Sequence, residues 1–380
     1  MDFSRIRASE KMRELLWESL EGGHWHGRGP YTKEVERLLS ERLNASVWMT
    51  TSCTHALELA LRLCHLADGD EVILPSYAFP SVANAVLMAN GTIRYAPIEP
   101  VTGCLDVDAL PGLVTERTKA VLVVHYGGQS HQIRELATFC RQNHLFLIED
   151  AAQAFGSTVD GRALGTFGDF SAISFHGTKN VGCGEGGALV IRQPDSQQRE
   201  MIESYLEKGT NRLSFERQQV SHYEWTSLGS SLVPSDLLMA LLYGGLQEFD
   251  ENNALRKNIY ERYVRYFQEN SFSGLERFSG QIESETTHNA HLFWLVWKDA
   301  FLAQKFIDLM RERNIPCYPH FYPLHLSKMG KRFRLGHEDL WYEEQIKDTL
   351  VRLPLFSSMS QSEVDMVFVA LEEVREDFYG

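Results

Sequence analysis

Along the first 190 positions, apolar residues concentrate in short runs separated by amphipathic stretches. Runs at 47–50, 71–74, 92–95, 120–124, 145–148, 172–175 and 188–191 have the length of buried strands. Helical three-four spacing occupies 55–66 and 82–89 between them, and 9–20 and 32–43 ahead of them. Buried strands alternating with helices predict an α/β domain with a mostly parallel sheet covered on both faces.

After about residue 235 the pattern changes. Leu237, Leu238, Leu241, Leu242 and Leu246 repeat at helical spacing, and Tyr260, Tyr263 and Phe267 continue it. This predicts one long helix leading into a smaller C-terminal α+β domain. The expected division is 1–245, an N-terminal arm plus large domain, and 246–380, the small domain. No glycine- or serine-rich linker separates the two, so they should pack closely.

With 380 residues, 43% hydrophobic and 23% charged, the chain can bury a substantial core, which excludes disordered and fibrous classes. A net charge of −14 disfavours nucleic-acid and membrane-surface proteins, which need basic faces. It leaves room for an anionic small substrate, because a few local donors can outweigh the global field. The six cysteines (Cys53, Cys64, Cys104, Cys140, Cys183 and Cys317) form no C-x-x-C pair, so neither a disulfide framework nor a zinc knuckle is expected. The start lacks the apolar core of a signal peptide, and no run is long enough to span a membrane. A soluble, cytoplasmic protein is expected.

Four segments carry candidate chemistry. In Thr50-Thr51-Ser52-Cys53-Thr54-His55 a strand ends and a helix begins. Free first-turn N–H groups and hydroxyls there suit a phosphate, although plain N-capping is the simpler reading of this segment alone. Pro75-Ser76-Tyr77-Ala78-Phe79-Pro80 follows a strand; its aromatics could face a flat ligand or close the core. Glu149-Asp150 ends another strand, at the edge where open α/β sheets bind ligands. A buried acid there needs a cation, whereas a solvated helix-starting acid does not. Last comes Ser174-Phe175-His176-Gly177-Thr178-Lys179-Asn180, followed by Gly182, Gly184, Gly186 and Gly187. Those glycines precede a strand instead of following one, so they are a turn passing close to a ligand and not a dinucleotide fingerprint.

A carbonyl-reactive lysine, a buried acid, a phosphate cup and an aromatic plate are together what pyridoxal 5′-phosphate requires. A metal hydrolase on His24/His26, His288/His291 or His320/His325 lacks the helical H-E-x-x-H framework, and no metal is expected.

The ordered motifs Ser-Cys-Thr, Pro-Ser-Tyr-x-Phe, Val-His-Tyr-x-Gly, Glu-Asp-Ala-Ala-Gln, Ser-Phe-His-x-Thr-Lys-Asn and Gly-Glu-Gly-Gly resemble those of the fold type I sugar-nucleotide aminotransferases. That family belongs to the aspartate aminotransferase superfamily, and the likeness spans nearly the whole chain. It implies a Schiff base between Lys179 and the cofactor, with pyridoxamine phosphate as the intermediate form and Lys179 moving the proton. It implies Asp150 on the pyridine nitrogen, Gln153 near the ring hydroxyl, Phe79 stacked on the ring, and Cys53, Thr54 and Ser174 on the phosphate. Ser231 stands where most relatives carry an asparagine that reaches the phosphate across the subunit boundary. Arg28, Asn211, Arg212 and His320 are the candidates for the sugar or its diphosphate. Glu207-Lys208-Gly209-Thr210-Asn211-Arg212 with Gly229-Ser230-Ser231 looks like the branch that aminates C4 of dTDP-4-keto-6-deoxy-D-glucose with L-glutamate as donor. The resemblance further implies a homodimer with shared active sites, segment 208–236 being lent to the neighbour. Competing readings are a C3-keto-sugar or cyclitol acceptor, or a non-catalytic cofactor-binding regulator on the same scaffold.

Overall fold

The computed structural model describes residues 1–280, 285–333 and 339–379. Its larger sheet has seven strands: β1 Ser46–Thr50, β2 Glu71–Pro75, β3 Thr92–Ala96, β4 Thr118–Val124, β5 Phe146–Asp150, β6 Phe170–Ser174 and β7 Gly187–Ile191. They lie in the order β1-β7-β6-β5-β4-β2-β3. Only β7 runs against the other six. All seven expected strands therefore form, in the mostly parallel sheet that their apolar runs require.

The two-residue period of a strand splits these runs between two cores. Val121, Leu147, Ile173 and Val190 enter one apolar cluster; Leu122, Ile148, Ala172 and Leu189 enter the cluster on the opposite face. Helix Cys53–Leu63 belongs to the second face and helix Pro30–Leu43 to the first. A smaller antiparallel sheet contains β8 Leu275–Phe278, β9 Phe293–Trp297, β10 Tyr318–Pro319 and β11 Leu350–Leu353, in the order β8-β9-β11-β10. Among the described residues no helix is long and apolar enough to cross a membrane.

One expectation is corrected. The helix read as continuous from about residue 235 is two helices, Asp236–Gln247 and Phe249–Glu269, broken at Glu248. The break lets the chain serve two cores. Met239, Leu242 and Phe249 join the large-sheet core, with the Phe249 ring 4.8 Å from that of Phe155. Tyr260, Tyr263 and Phe267 join the core of the smaller sheet. Phe249→Ala should cost about 3–5 kcal/mol, because a fully buried ring is lost at the junction. Urea unfolding should show this as a lower midpoint, and a cost under ~1 kcal/mol would mean that Phe249 does not hold the break in place.

Candidate active site

β1, β5 and β6 end on the same edge of the sheet, and antiparallel β7 begins there. Thr50 and Ser174 both lie opposite Gly187, while Asp150 lies opposite Ala172. A side chain at Gly187 would overlap the backbone of Ser52 and Cys53, so glycine is what lets β7 pass against the start of the helix. A cavity of about 550 Å³ opens at this edge. The larger sheet and its loops contribute Cys53, Thr54, Phe79, Asp150, Gln153, Ser174 and Lys179; His320, Phe321 and Arg352 approach from the other side.

Lys179 is held in a tight turn, its N–H donating to the His176 carbonyl at 3.0 Å. Burial pushes its ammonium below the ordinary 10.5, and the charge of Asp150 opposes that shift. Next to it, Asn180 donates from Nδ2 to Asn253 Oδ1 at 2.9 Å and to the Asn289 carbonyl at 2.8 Å. Its Oδ1 lies 2.8 Å from His291 Nδ1. The buried Arg256 donates to the Ala290 and His291 carbonyls and so fixes that turn.

Asp150 is 6% exposed. Its Oδ1 accepts the Ala152 N–H at 3.0 Å, with the Cys53 thiol 3.9 Å away, and Oδ2 accepts no bond among the described residues. Burial raises this acid above its ordinary 3.8, while the Ala152 N–H and the charges of Lys179 and His125 act the other way. The neighbouring acid has a different task. Glu149 points to the opposite face, fully buried, and accepts from Gly165 N–H at 2.8 Å and Gly168 N–H at 2.6 Å, with His125 Nε2 at 2.8 Å.

Around this pair lie the hydroxyls. Ser52 caps the helix by accepting the His55 N–H at 3.2 Å, Thr54 Oγ1 is 2.7 Å from Ser81 Oγ, and Ser174 Oγ accepts the His176 N–H at 3.3 Å. Gln153 Oε1 accepts the Gly127 N–H at 2.7 Å. Phe79 is 60% exposed at the mouth, its ring 6.3 Å from that of Phe321. His320 lies 3.2 Å from the Tyr126 hydroxyl, and burial holds its imidazole well below the ordinary 6.5, hence neutral.

The remaining expected residues do not line this chain's own cavity. Arg28 pairs with Glu207 at 3.1 Å, and Arg212 pairs with Glu216 at 2.8 Å. Asn211 accepts the Glu224 N–H at 2.8 Å and donates to the His222 carbonyl at 3.0 Å; Ser231 is exposed and bridges to Glu207. The described histidines, cysteines and acids form no group of three that could hold a metal. Sequence reasoning missed Arg256 and Arg352. A single arginine on an amphipathic helix or in a strand carries no signal of what it will face.

These donors suit one kind of group. A helix start ringed by hydroxyls takes a phosphate, a buried carboxylate with an open oxygen takes a protonated ring nitrogen, and a buried lysine takes an aldehyde. Fold and site together define a pyridoxal-phosphate-dependent aminotransferase of the fold type I architecture. The chain belongs to the DegT/DnrJ/EryC1/StrS aminotransferase family, whose match covers residues 7–372, and it is a sugar aminotransferase. It is 31% identical to the spore coat polysaccharide biosynthesis protein SpsC of Bacillus subtilis, over 96% of this chain and 94% of that one. It is 30% identical to the dTDP-4-dehydro-2,3,6-trideoxy-D-glucose 4-aminotransferase of Saccharopolyspora spinosa, over 90% and 89%. Its fold matches the aminotransferase TlmJ of Streptoalloteichus hindustanus with a TM-score of 0.89 and 28% identity, covering all of both chains.

Because the folded state raises the Asp150 pKa, the group favours folding only while protonated. That contribution is complete below the ordinary 3.8 and is lost as pH rises through the folded value. Asp150→Asn should therefore leave the cofactor-free protein as stable as the wild type near neutral pH, or more so. A loss above ~1 kcal/mol in urea unfolding there would mean that the charged carboxylate is held by the fold itself.

Proposed function

We propose that this enzyme moves the amino group of L-glutamate to the 4-keto carbon of dTDP-4-keto-6-deoxy-D-glucose, giving the 4-amino-4,6-dideoxygalactose nucleotide in the cytoplasm. The observation that carries the reading is the meeting of Lys179 and Asp150 in one cavity beside the hydroxyl-ringed helix start. In this reading Cys53, Thr54 and Ser174 hold the cofactor phosphate, Asp150 its ring nitrogen and Gln153 its ring hydroxyl, with Phe79 over the ring. Bound there, pyridoxal phosphate supplies a ring that withdraws electrons from the carbon carrying the transferred nitrogen.

The side chains do the rest. Burial favours the neutral amine of Lys179, which takes the proton from the donor's α-carbon and returns one to C4 of the sugar. Asp150, largely sealed from water, is favoured as a carboxylate only against a cation, which a protonated ring nitrogen supplies. The relative from Saccharopolyspora spinosa, named for amination at C4 of a dTDP-linked sugar, supports both the carbon and the nucleotide.

A homodimer completes the site. Tyr223, Trp225 and Leu228 are 53%, 77% and 68% exposed on one projecting arm, an apolar surface suited to cover by a second copy. Segment 208–236 then carries Asn211, Arg212 and Ser231 toward the neighbouring cavity.

The deciding experiment offers glutamate with dTDP-4-keto-6-deoxyglucose, its UDP and GDP analogues and the 3-keto isomer side by side, with NMR of the product. A galacto-configured 4-amine on dTDP is expected; preferential turnover of the 3-keto isomer would overturn the reading. Lys179→Ala should abolish turnover, and Asp150→Ala should lower kcat on the order of 10³-fold. Sustained turnover by the Lys179 variant would remove the assignment.

A further inference from the structure

The nine residues before helix Glu10–Gly22 have no regular structure, yet they are fastened at intervals. Phe3 meets Tyr318 edge-on with ring centroids 4.9 Å apart. Arg5 pairs with Glu363 at 3.1 Å and lies over the Phe356 ring at 5.1 Å, while Ser358 Oγ donates to the Arg5 carbonyl at 3.4 Å. Residues 4–7 then face the Lys179 loop across a narrow cleft of about 60 Å³. Residues 3–7 thus form a strap running from the smaller sheet's domain, past the lysine, to the helix packed on Asp236–Gln247.

The strap also supplies a wall of the main cavity through Phe3 and Ser4. There the Phe3 ring lies 5.0 Å from the guanidinium carbon of Arg352. Arg352 is half-buried in β11, and its Nη2 donates to the Pro319 carbonyl at 3.2 Å. Its Nε is buried without a hydrogen-bond partner, and it makes no ion pair among the described residues. Burial costs such an unpaired donor free energy until an acceptor arrives. A carboxylate is the acceptor that matches the planar fork of donors, and an aromatic ring on one face fixes the plane in which the fork lies.

We propose that the N-terminal strap is part of the amino-donor site, with Phe3 a positioning residue that orients Arg352 for a carboxylate of the incoming amino acid. This rests on glutamate being the donor. The keto sugar has no carboxylate, so the consequence falls on one half of the reaction.

The test uses the cofactor-loaded protein and two readouts. Calorimetry measures binding of glutarate, a dicarboxylate that has no amine to react. Stopped-flow absorbance follows the glutamate half-reaction, and, from protein loaded with pyridoxamine phosphate, the keto-sugar half-reaction. Phe3→Ala should weaken glutarate binding and raise the half-saturating glutamate concentration ~10-fold, about 1.4 kcal/mol. Phe3→Tyr, which keeps the ring, should stay within ~3-fold of wild type, and Arg352→Gln should weaken glutarate by ~100-fold. In the Phe3 variants, limiting rates and the keto-sugar concentration dependence should stay within ~2-fold. Should Phe3→Ala not fold, Phe3→Leu keeps the bulk without the ring and should still bind glutarate less well than Phe3→Tyr. Unchanged glutarate binding in these variants, or equal losses in both half-reactions, overturns the strap proposal alone. A wild-type protein that neither binds glutarate nor reacts with glutamate overturns the donor assignment, and the strap proposal with it.

Discussion

The site depends on keeping an acid and a base in a place that favours the charged form of neither. Burial raises the Asp150 acid and lowers the Lys179 base, while each opposes the shift of the other through its charge. Water would solvate both and remove their mutual dependence. The cavity instead leaves each reliant on whatever charge shares it, so replacing the partner changes the protonation of the other. This is why the acid sits at the end of β5 with one backbone N–H on one oxygen and the other oxygen open, instead of being fully satisfied like Glu149.

The sheet makes that arrangement possible. Six strands run together, so their carboxyl ends share an edge, and reversed β7 brings its first residue to the same edge. Gly187 lies where any side chain would strike the Ser52–Cys53 backbone, so the helix start and its free N–H groups sit directly over the strand ends. A shift of one residue in β5 would turn Glu149 toward the cavity face and Asp150 away from it.

Much of this is legible in the sequence. The strand runs are short and largely apolar, the signal that a sheet covered on both faces leaves, and the chemistry-bearing segments sit at their ends. Periodicity did not reveal which acid faces the cavity. Leu147 and Ile148 are both apolar, so alternation carries no polarity contrast there, although both faces obey the two-residue period. Nor did periodicity reveal the break at Glu248, because both helices keep apolar stripes while pointing them into different cores. Arg256 and Arg352 were invisible for a related reason. Each is a polar residue within an element, and only the tertiary packing decides that it faces the cavity rather than water.

The four residues that lie away from this chain's own cavity form a pattern of their own. Buried Glu207 is approached by Arg28 at 3.1 Å, Lys208 at 3.6 Å and Arg212 at 3.7 Å, and Glu216 takes the other side of Arg212. Glu36 also feels the charge of Arg28, and Arg217 pairs with Glu203 at 2.8 Å, so the cations of this region are matched by carboxylates around them. Ser231 bridges to the same acid, and the arm that carries it exposes Trp225 and Leu228. An isolated subunit gains little from such an arm, since exposed apolar side chains cost free energy. In the dimer proposed above, the same arm would bury these side chains against the second copy.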